Sequence, residues 1–180
     1  MVLLNIGMDL YEIRKRMCYD PLAKPSQKDS VRNWLNSLGS GYQFAVTLTI
    51  KRSVKVTTNR GVHIRRITRK DCDAIASRFI KKLNRQAFGN AAERYDKGLK
   101  FIPVVEGERS GKNLHFHLAV GGLPSSYMPS QFREMVQNAL YRVNELDQQH
   151  DVQIMDSGWL DYFTKEIGRH DTDNVLWQLT

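Results

Sequence analysis

The feature that most constrains this chain is a repeated switch of hydrophobic period, from two residues to three or four and back. Phe44 to Ile50 (FAVTLTI) alternates and is rich in β-branched side chains, so it reads as a strand. Thr68 to Asp71 has the spacing of a capping box. Apolar residues follow at Cys72, Ile75, Ala76, Phe79, Ile80 and Leu83, one stripe of a helix that ends near Gly89. Lys100 to Gly107 (KFIPVVEG) and Leu114 to Val120 (LHFHLAV) are expected strands, joined by the turn-rich Glu108 to Asn113. A second helix is expected from about Ser130 to Leu146, with Phe132, Val136, Ala139, Leu140 and Val143 on one face. Asp151 to Met155 reads as a short fourth strand. Asp156 and Ser157 can cap a last helix running to about Ile167 and stopped by Gly168. The basic stretch Lys51 to Ile67 reads as a loop, or as a hairpin extending the first strand.

The order β-α-β-β-α-β followed by a helix predicts an α+β fold of the split βαβ type, ferredoxin-like or RRM-like: an antiparallel four-stranded sheet with helices on one face. Residues 1–40 read as a helical N-terminal extension, with candidate helices from Asp9 to Cys18 and from Ser30 to Leu38, broken by Pro21, Pro25 and Ser26 and closed by Gly39 and Gly41. Residues 41–180 form the main domain. No apolar run has the length of a membrane span, and the apolar N-terminus lacks the basic flank and cleavage pattern of a signal peptide. Cys18 and Cys72 lie far apart and fit no metal spacing, which points to a reduced, cytoplasmic protein without a membrane partner.

The formal net charge is +8, with Lys and Arg clustered at Lys51–Arg52, Arg65–Arg66, Arg69–Lys70 and Lys81–Lys82. A basic domain draws polyanions by long-range attraction and counterion release. Lys51, Arg52, Arg65, Arg66, Arg69 and Lys70 are therefore candidate phosphate contacts, against the plainer reading of a solvated basic surface.

Chemistry concentrates on the central strands. His115 and His117 flank Phe116, so both imidazoles project from one face, the side where solvent-facing residues are expected, while Leu114, Phe116 and Leu118 point to the core. A turn centred between Ser110 and Gly111 places Glu106 opposite His115, on the same side. Two imidazoles and a carboxylate can hold a divalent ion and leave positions open for water or phosphate. The alternative is a decorated polar sheet face. A structural zinc site lacks a fourth ligand here.

On the expected last helix, Trp159, Leu160, Phe163 and Ile167 form the apolar stripe, and Tyr162 and Lys165 lie together off it, one turn apart. A phenol ionises only near a pKa of about 10, and a neighbouring cation favours the phenolate. The plainer reading is a boundary tyrosine beside a solvated lysine.

Taken in order, these elements resemble the HUH endonucleases, specifically the rolling-circle replication initiator (Rep) type with a single catalytic tyrosine. The resemblance covers about residues 43–169. The family's first motif, an apolar strand with threonines, is similar to Phe44 to Thr49; its second, His-hydrophobe-His with an acidic ligand on the preceding strand, to His115, Phe116, His117 and Glu106; its third, Tyr-x-x-Lys, to Tyr162 and Lys165. The resemblance implies Mg²⁺ or Mn²⁺ at Glu106, His115 and His117, and Tyr162 as nucleophile, aided by Lys165. It also implies Thr47 and Thr49 among the DNA contacts, and nicking of a single-stranded or hairpin origin through a 5′-phosphotyrosine link that leaves a 3′-hydroxyl to prime synthesis. No Gly-x-x-x-x-Gly-Lys-Ser/Thr loop is present, so a separate helicase and polymerase are expected partners. Two rivals stand beside this reading: a single-tyrosine transposase of the same superfamily, and a non-catalytic nucleic-acid-binding module of the same topology. Modules of that kind read bases with sheet aromatics, where this chain carries His115, His117 and Glu106.

Overall fold

The computed structural model describes residues 29–30, 33–34, 37, 41–107, 113–156, 158–159 and 174–180. Most of the expected N-terminal extension, with Cys18, and the body of the expected last helix, with Tyr162 and Lys165, lie outside the described residues. Asp29, Ser30, Asn33, Trp34 and Ser37 are helical, as expected for Ser30 to Leu38.

In chain order, the described elements are β1 (Tyr42–Ile50), β2 (Ser53–Thr58), β3 (Gly61–Arg66), a 3₁₀ turn (Arg69–Asp71), α1 (Cys72–Phe88), a short α2 (Ala91–Arg94), β4 (Lys100–Glu106), β5 (His115–Gly121), α3 (Pro129–Leu140), β6 (Leu146–Ile154) and a 3₁₀ turn (Trp177–Leu179). The fold is α+β. Strands β4-β5-β1-β6 form a four-stranded sheet in which every neighbouring pair is antiparallel, and β2-β3 form a separate two-stranded ribbon. This is the split βαβ order: α1 carries the chain from β1 past β5 to β4, and α3 carries it from β5 past β1 to β6.

Strand alternation builds the main core. Phe44, Val46, Leu48 and Ile50 of β1, Phe101 and Val105 of β4, and Phe116, Leu118 and Val120 of β5 all face one way. They meet Ile75, Phe79 and Leu83 of α1 and Phe132, Val136 and Leu140 of α3, so both helices cover that single face. Burying side chains of this size contributes about 1.5–3 kcal/mol each. The helix stripe read in the sequence is the buried one: Cys72, Ile75, Ala76, Phe79, Leu83 and Ala87. Asp71 takes hydrogen bonds from the Thr68 N–H (2.8 Å) and hydroxyl (2.9 Å), the expected start signal. Gly89, at φ +58°, ends α1 as expected.

Two boundaries differ from expectation. The second helix stops at Leu140 and not near Leu146, and the fourth strand starts at Leu146 and not at Asp151. The N–H groups of Arg142 and Val143 bond the carbonyls of Ala139 and Leu140, so the chain tightens into turns there. Val143 and Leu146 stay buried after the helix ends, which is why they continue its apolar spacing. Strand β6 (LDQQHDVQI) is an edge strand with few buried side chains, and its polar composition masks its period.

The opposite sheet face is a correction to the expected solvent-facing surface. Ile102, Val104, Ala119 and Val175 form a second buried cluster, with Trp34, Tyr42, Met155 and Trp159 packed against it. Residues 174–176 run along the outer edge of β4: Val105 N–H bonds the Asn174 carbonyl (2.8 Å), Leu176 N–H bonds the Pro103 carbonyl (2.9 Å), and Val104 bridges Val175. The edge is thereby covered. Among the described residues no helix is long and apolar enough to cross a membrane.

Candidate metal centre

The sheet register sets the site. Glu106 pairs with His115 and His115 with Thr49, making one rung; Val104, His117 and Thr47 make the next; Ile102, Ala119 and Ala45 the third. Side chains of paired residues share a face, so one end of this second face is polar and the other apolar. The hairpin turn itself lies outside the described residues, but the expected register of Glu106 opposite His115 holds.

Glu106 Oε2 lies 3.5 Å from His115 Nε2 and 3.3 Å from His117 Nε2. One ligand atom from each of the three residues can be chosen so that all lie within 4.8 Å of one another. Donors about 2.1 Å from a common ion sit roughly 3.0–3.4 Å apart when adjacent, so the carboxylate–imidazole separations suit a small divalent cation. Glu106 and His117 are only 6% and 1% exposed, whereas His115 is half-buried at the rim. Glu106 Oε1 is buried and makes no hydrogen bond to another described residue. This trio could hold a metal ion.

The rings are aimed by their other nitrogens. His115 Nδ1 is 3.0 Å from the Asn113 carbonyl, which can only accept, so Nδ1 carries the proton and Nε2 of the neutral ring turns a lone pair to the centre. His117 Nδ1 is 3.1 Å from Thr47 Oγ1, which can hold that ring in the same sense. Thr47→Val keeps the β-branched shape and removes this oxygen. It is expected to lower Mn²⁺ affinity about 10- to 100-fold with little change in thermal unfolding, as read by calorimetric titration.

Burial alone would raise the Glu106 carboxyl. In the metal-free protein at acid pH, where the rings carry a second proton on Nε2, the hydrogen bonds from His115 and His117 and the positive charge of those rings outweigh it and hold the group at about 2, against an ordinary 4.5. A depressed folded-state pKa means that the carboxylate's stabilisation is complete above about pH 4.5 and is lost as pH falls through about 2. The acid unfolding limb should therefore flatten in Glu106→Gln, measured as melting temperature between pH 7 and pH 2. Metal affinity should also fall with pH, because protons compete for the imidazole nitrogens.

The two histidines open onto a depression of about 400 Å³ lined by Thr47, Thr49, Arg52, Asn113, His115, His117 and Gln149. Arg52 and Asn113 also line a neighbouring cleft of about 810 Å³, together with Lys51, Ile64, Arg66 and Arg69. Arg52 Nε donates to Asn113 Oδ1 at 2.6 Å, so one asparagine joins the two depressions and orients His115.

The other candidate contacts are distributed unevenly. Lys51 Nζ donates to the Asn144 carbonyl at 2.7 Å, Arg65 is ion-paired with Asp71, and Arg69 lies 3.8 Å from Asp73. Arg52, Arg66 and Lys70 are exposed. Asn113 and Gln149 escape sequence reading because single polar residues at a turn and on an edge strand carry no periodic signal. Trp159 is read only as helix packing, yet its ring lies 6.1 Å from that of His117. Asp156 caps the turn that bears it, accepting from the N–H groups of Gly158 (3.0 Å) and Trp159 (3.2 Å), as its sequence position predicts.

Gly107, at φ +104°, closes the mouth of the β4–β5 hairpin. A Cβ there would collide with the Asn113 carbonyl, the acceptor for His115, so the position needs glycine for space as well as conformation. No protein-family model, curated protein or solved structure matches this chain.

Proposed function

We propose that the chain is a metal-dependent endonuclease that nicks and rejoins single-stranded DNA at a specific sequence, in the manner of the rolling-circle initiators its motifs resemble. The observation that carries this is the convergence of buried Glu106 on His115 and His117, whose rings line a depression that shares Arg52 and Asn113 with a basic cleft. A divalent ion held there would polarise the scissile phosphate and offset its developing charge. Of Mg²⁺ and Mn²⁺, the two-imidazole donor set favours Mn²⁺.

The chain's own residues supply the rest. Arg52 and Arg66 attract and position the backbone, and Asn113 and Thr47 keep the two rings aimed. Tyr162 attacks phosphorus in line: its oxygen forms the new bond, the 3′-oxygen leaves, and the phenolic proton passes to solvent, with Lys165 favouring the phenolate. A 3′-hydroxyl attacking the resulting 5′-phosphotyrosine reverses the step and rejoins the strand. Trp159, three residues before Tyr162, sits beside His117, which supports a nucleophile supplied from this part of the chain.

The test is incubation with labelled single-stranded DNAs drawn from the protein's own genetic neighbourhood, in Mn²⁺ or in EDTA, followed by denaturing electrophoresis. A metal-dependent covalent adduct, lost in His117→Ala, supports the reading. Tight binding across a broad substrate set with no adduct refutes it and leaves a binding module.

A further inference from the structure

The chain's excess charge has a single source. Residues 51–70 contain eight Lys and Arg and no Asp or Glu; outside them, nineteen basic residues face nineteen acidic ones, so the whole +8 arises there. This stretch folds as the β2–β3 ribbon, whose strands, among the described residues, pair only with each other. Buried Val54 and Ile67 and half-buried Val56 root it in the core.

The register sorts its side chains. The rungs Val54–Arg65 and Val56–His63 share the side that buried Val54 turns inward, with His63 exposed near the tip, and the rungs Ser53–Arg66, Lys55–Ile64 and Thr57–Val62 turn outward. On the outer side Val62 is 67% and Ile64 72% exposed, between Lys55 and Arg66, with Arg60 at the tip. Two aliphatic side chains held in water on an otherwise cationic arm match a polyanion that also offers apolar contacts. The major groove of B-DNA does so through thymine methyl groups. Single strands are held by stacking on aromatics, and residues 53–66 contain no Phe, Tyr or Trp. A two-stranded ribbon, with strands about 4.8 Å apart, fits a groove about 12 Å wide, whereas the narrow major groove of duplex RNA does not admit one.

We infer that the outer face of the β2–β3 ribbon is a second nucleic-acid site, which grips duplex DNA through its major groove beside the metal centre. The cleft that contains Ile64 and Arg66 shares Arg52 and Asn113 with the metal depression, so a stem lying on the ribbon leads its adjoining strand toward Glu106, His115 and His117. That last step rests on the nicking reading; duplex binding does not.

The test is fluorescence anisotropy of the full chain, in EDTA, with a 20-base-pair DNA duplex, an RNA duplex of the same sequence and a single-stranded 20-mer, between 50 and 200 mM salt. Duplex DNA should bind about 10-fold tighter than either other ligand. Val62→Ser with Ile64→Ser should remove that preference at an unchanged salt slope, since neither residue carries charge. Lys55→Ala with Arg60→Ala should lower the slope by roughly two, about 0.9 per lost phosphate contact. Equal binding of all three ligands, or an unaffected aliphatic double variant, overturns the inference. A duplex preference that survives where no adduct forms supports the ribbon site and counts against nicking alone. Metal-dependent adducts on a short single strand, with no duplex preference, do the reverse.

Discussion

Glu106→Gln is expected to lower Mn²⁺ affinity by about 100-fold or more while the protein stays folded. Losing a residue that merely orients a ligand costs about 10- to 100-fold in such sites, and Glu106 is itself the only anionic donor of the trio. Its carboxylate faces both imidazole Nε2 atoms at 3.3–3.5 Å from a buried position, so little water reaches the gap it would leave. Glutamine keeps the volume, so the packing of this buried position is undisturbed. It removes the charge, and with it both the attraction for a cation and the acid-sensitive contribution described above. Binding is read by isothermal titration or by the Mn²⁺ resonance signal, with far-ultraviolet dichroism as the folding control. A variant that binds Mn²⁺ like the parent would remove Glu106 from the site and leave the two histidines as a cross-strand pair only.

Tyr162→Phe is expected to abolish the covalent adduct, a loss on the order of 10⁶ in the chemical step, while Mn²⁺ and DNA affinities stay within about twofold. The substitution deletes one oxygen, the atom that would accept the phosphoryl group. Retained binding separates loss of a nucleophile from loss of structure. If adducts persist in the variant, another of the chain's seven tyrosines is the nucleophile, and mapping the DNA-linked peptide identifies it.

Much of this site was legible in one dimension because a strand's period is two. His115 and His117 must share a face, and an antiparallel hairpin must bring some residue of the preceding strand opposite His115; once the turn is placed, that residue is Glu106. The amphipathic stripe of α1 and its Thr68–Asp71 start signal were legible for the same reason, since both depend on residues within one or two turns of each other. Where the apolar spacing outlasted the hydrogen bonding, at Val143 and Leu146, local period misplaced the end of the helix.

What local period cannot encode is which distant segment covers a face. The side of the sheet that carries the histidines looks solvent-facing in sequence because it is polar at one end. Tertiary structure buries its apolar end, with Trp34, Trp159 and Val175 drawn from three separate parts of the chain, and leaves the polar end as a depression. Pairing of β1 with β5 likewise sets Thr47 against His117 across seventy residues, and it makes a DNA-contact candidate into the oxygen that holds a ring. The basic run 51–70 was visible as charge alone; only its strand register separates Arg65, paired with Asp71 on the inner side, from the outward Arg66. Sequence by itself determined the periods, and therefore the fold class and the shared direction of the ligands. Burial, partner and access were decided by long-range packing, because these depend on the free energy of the whole assembled core and not on neighbours along the chain.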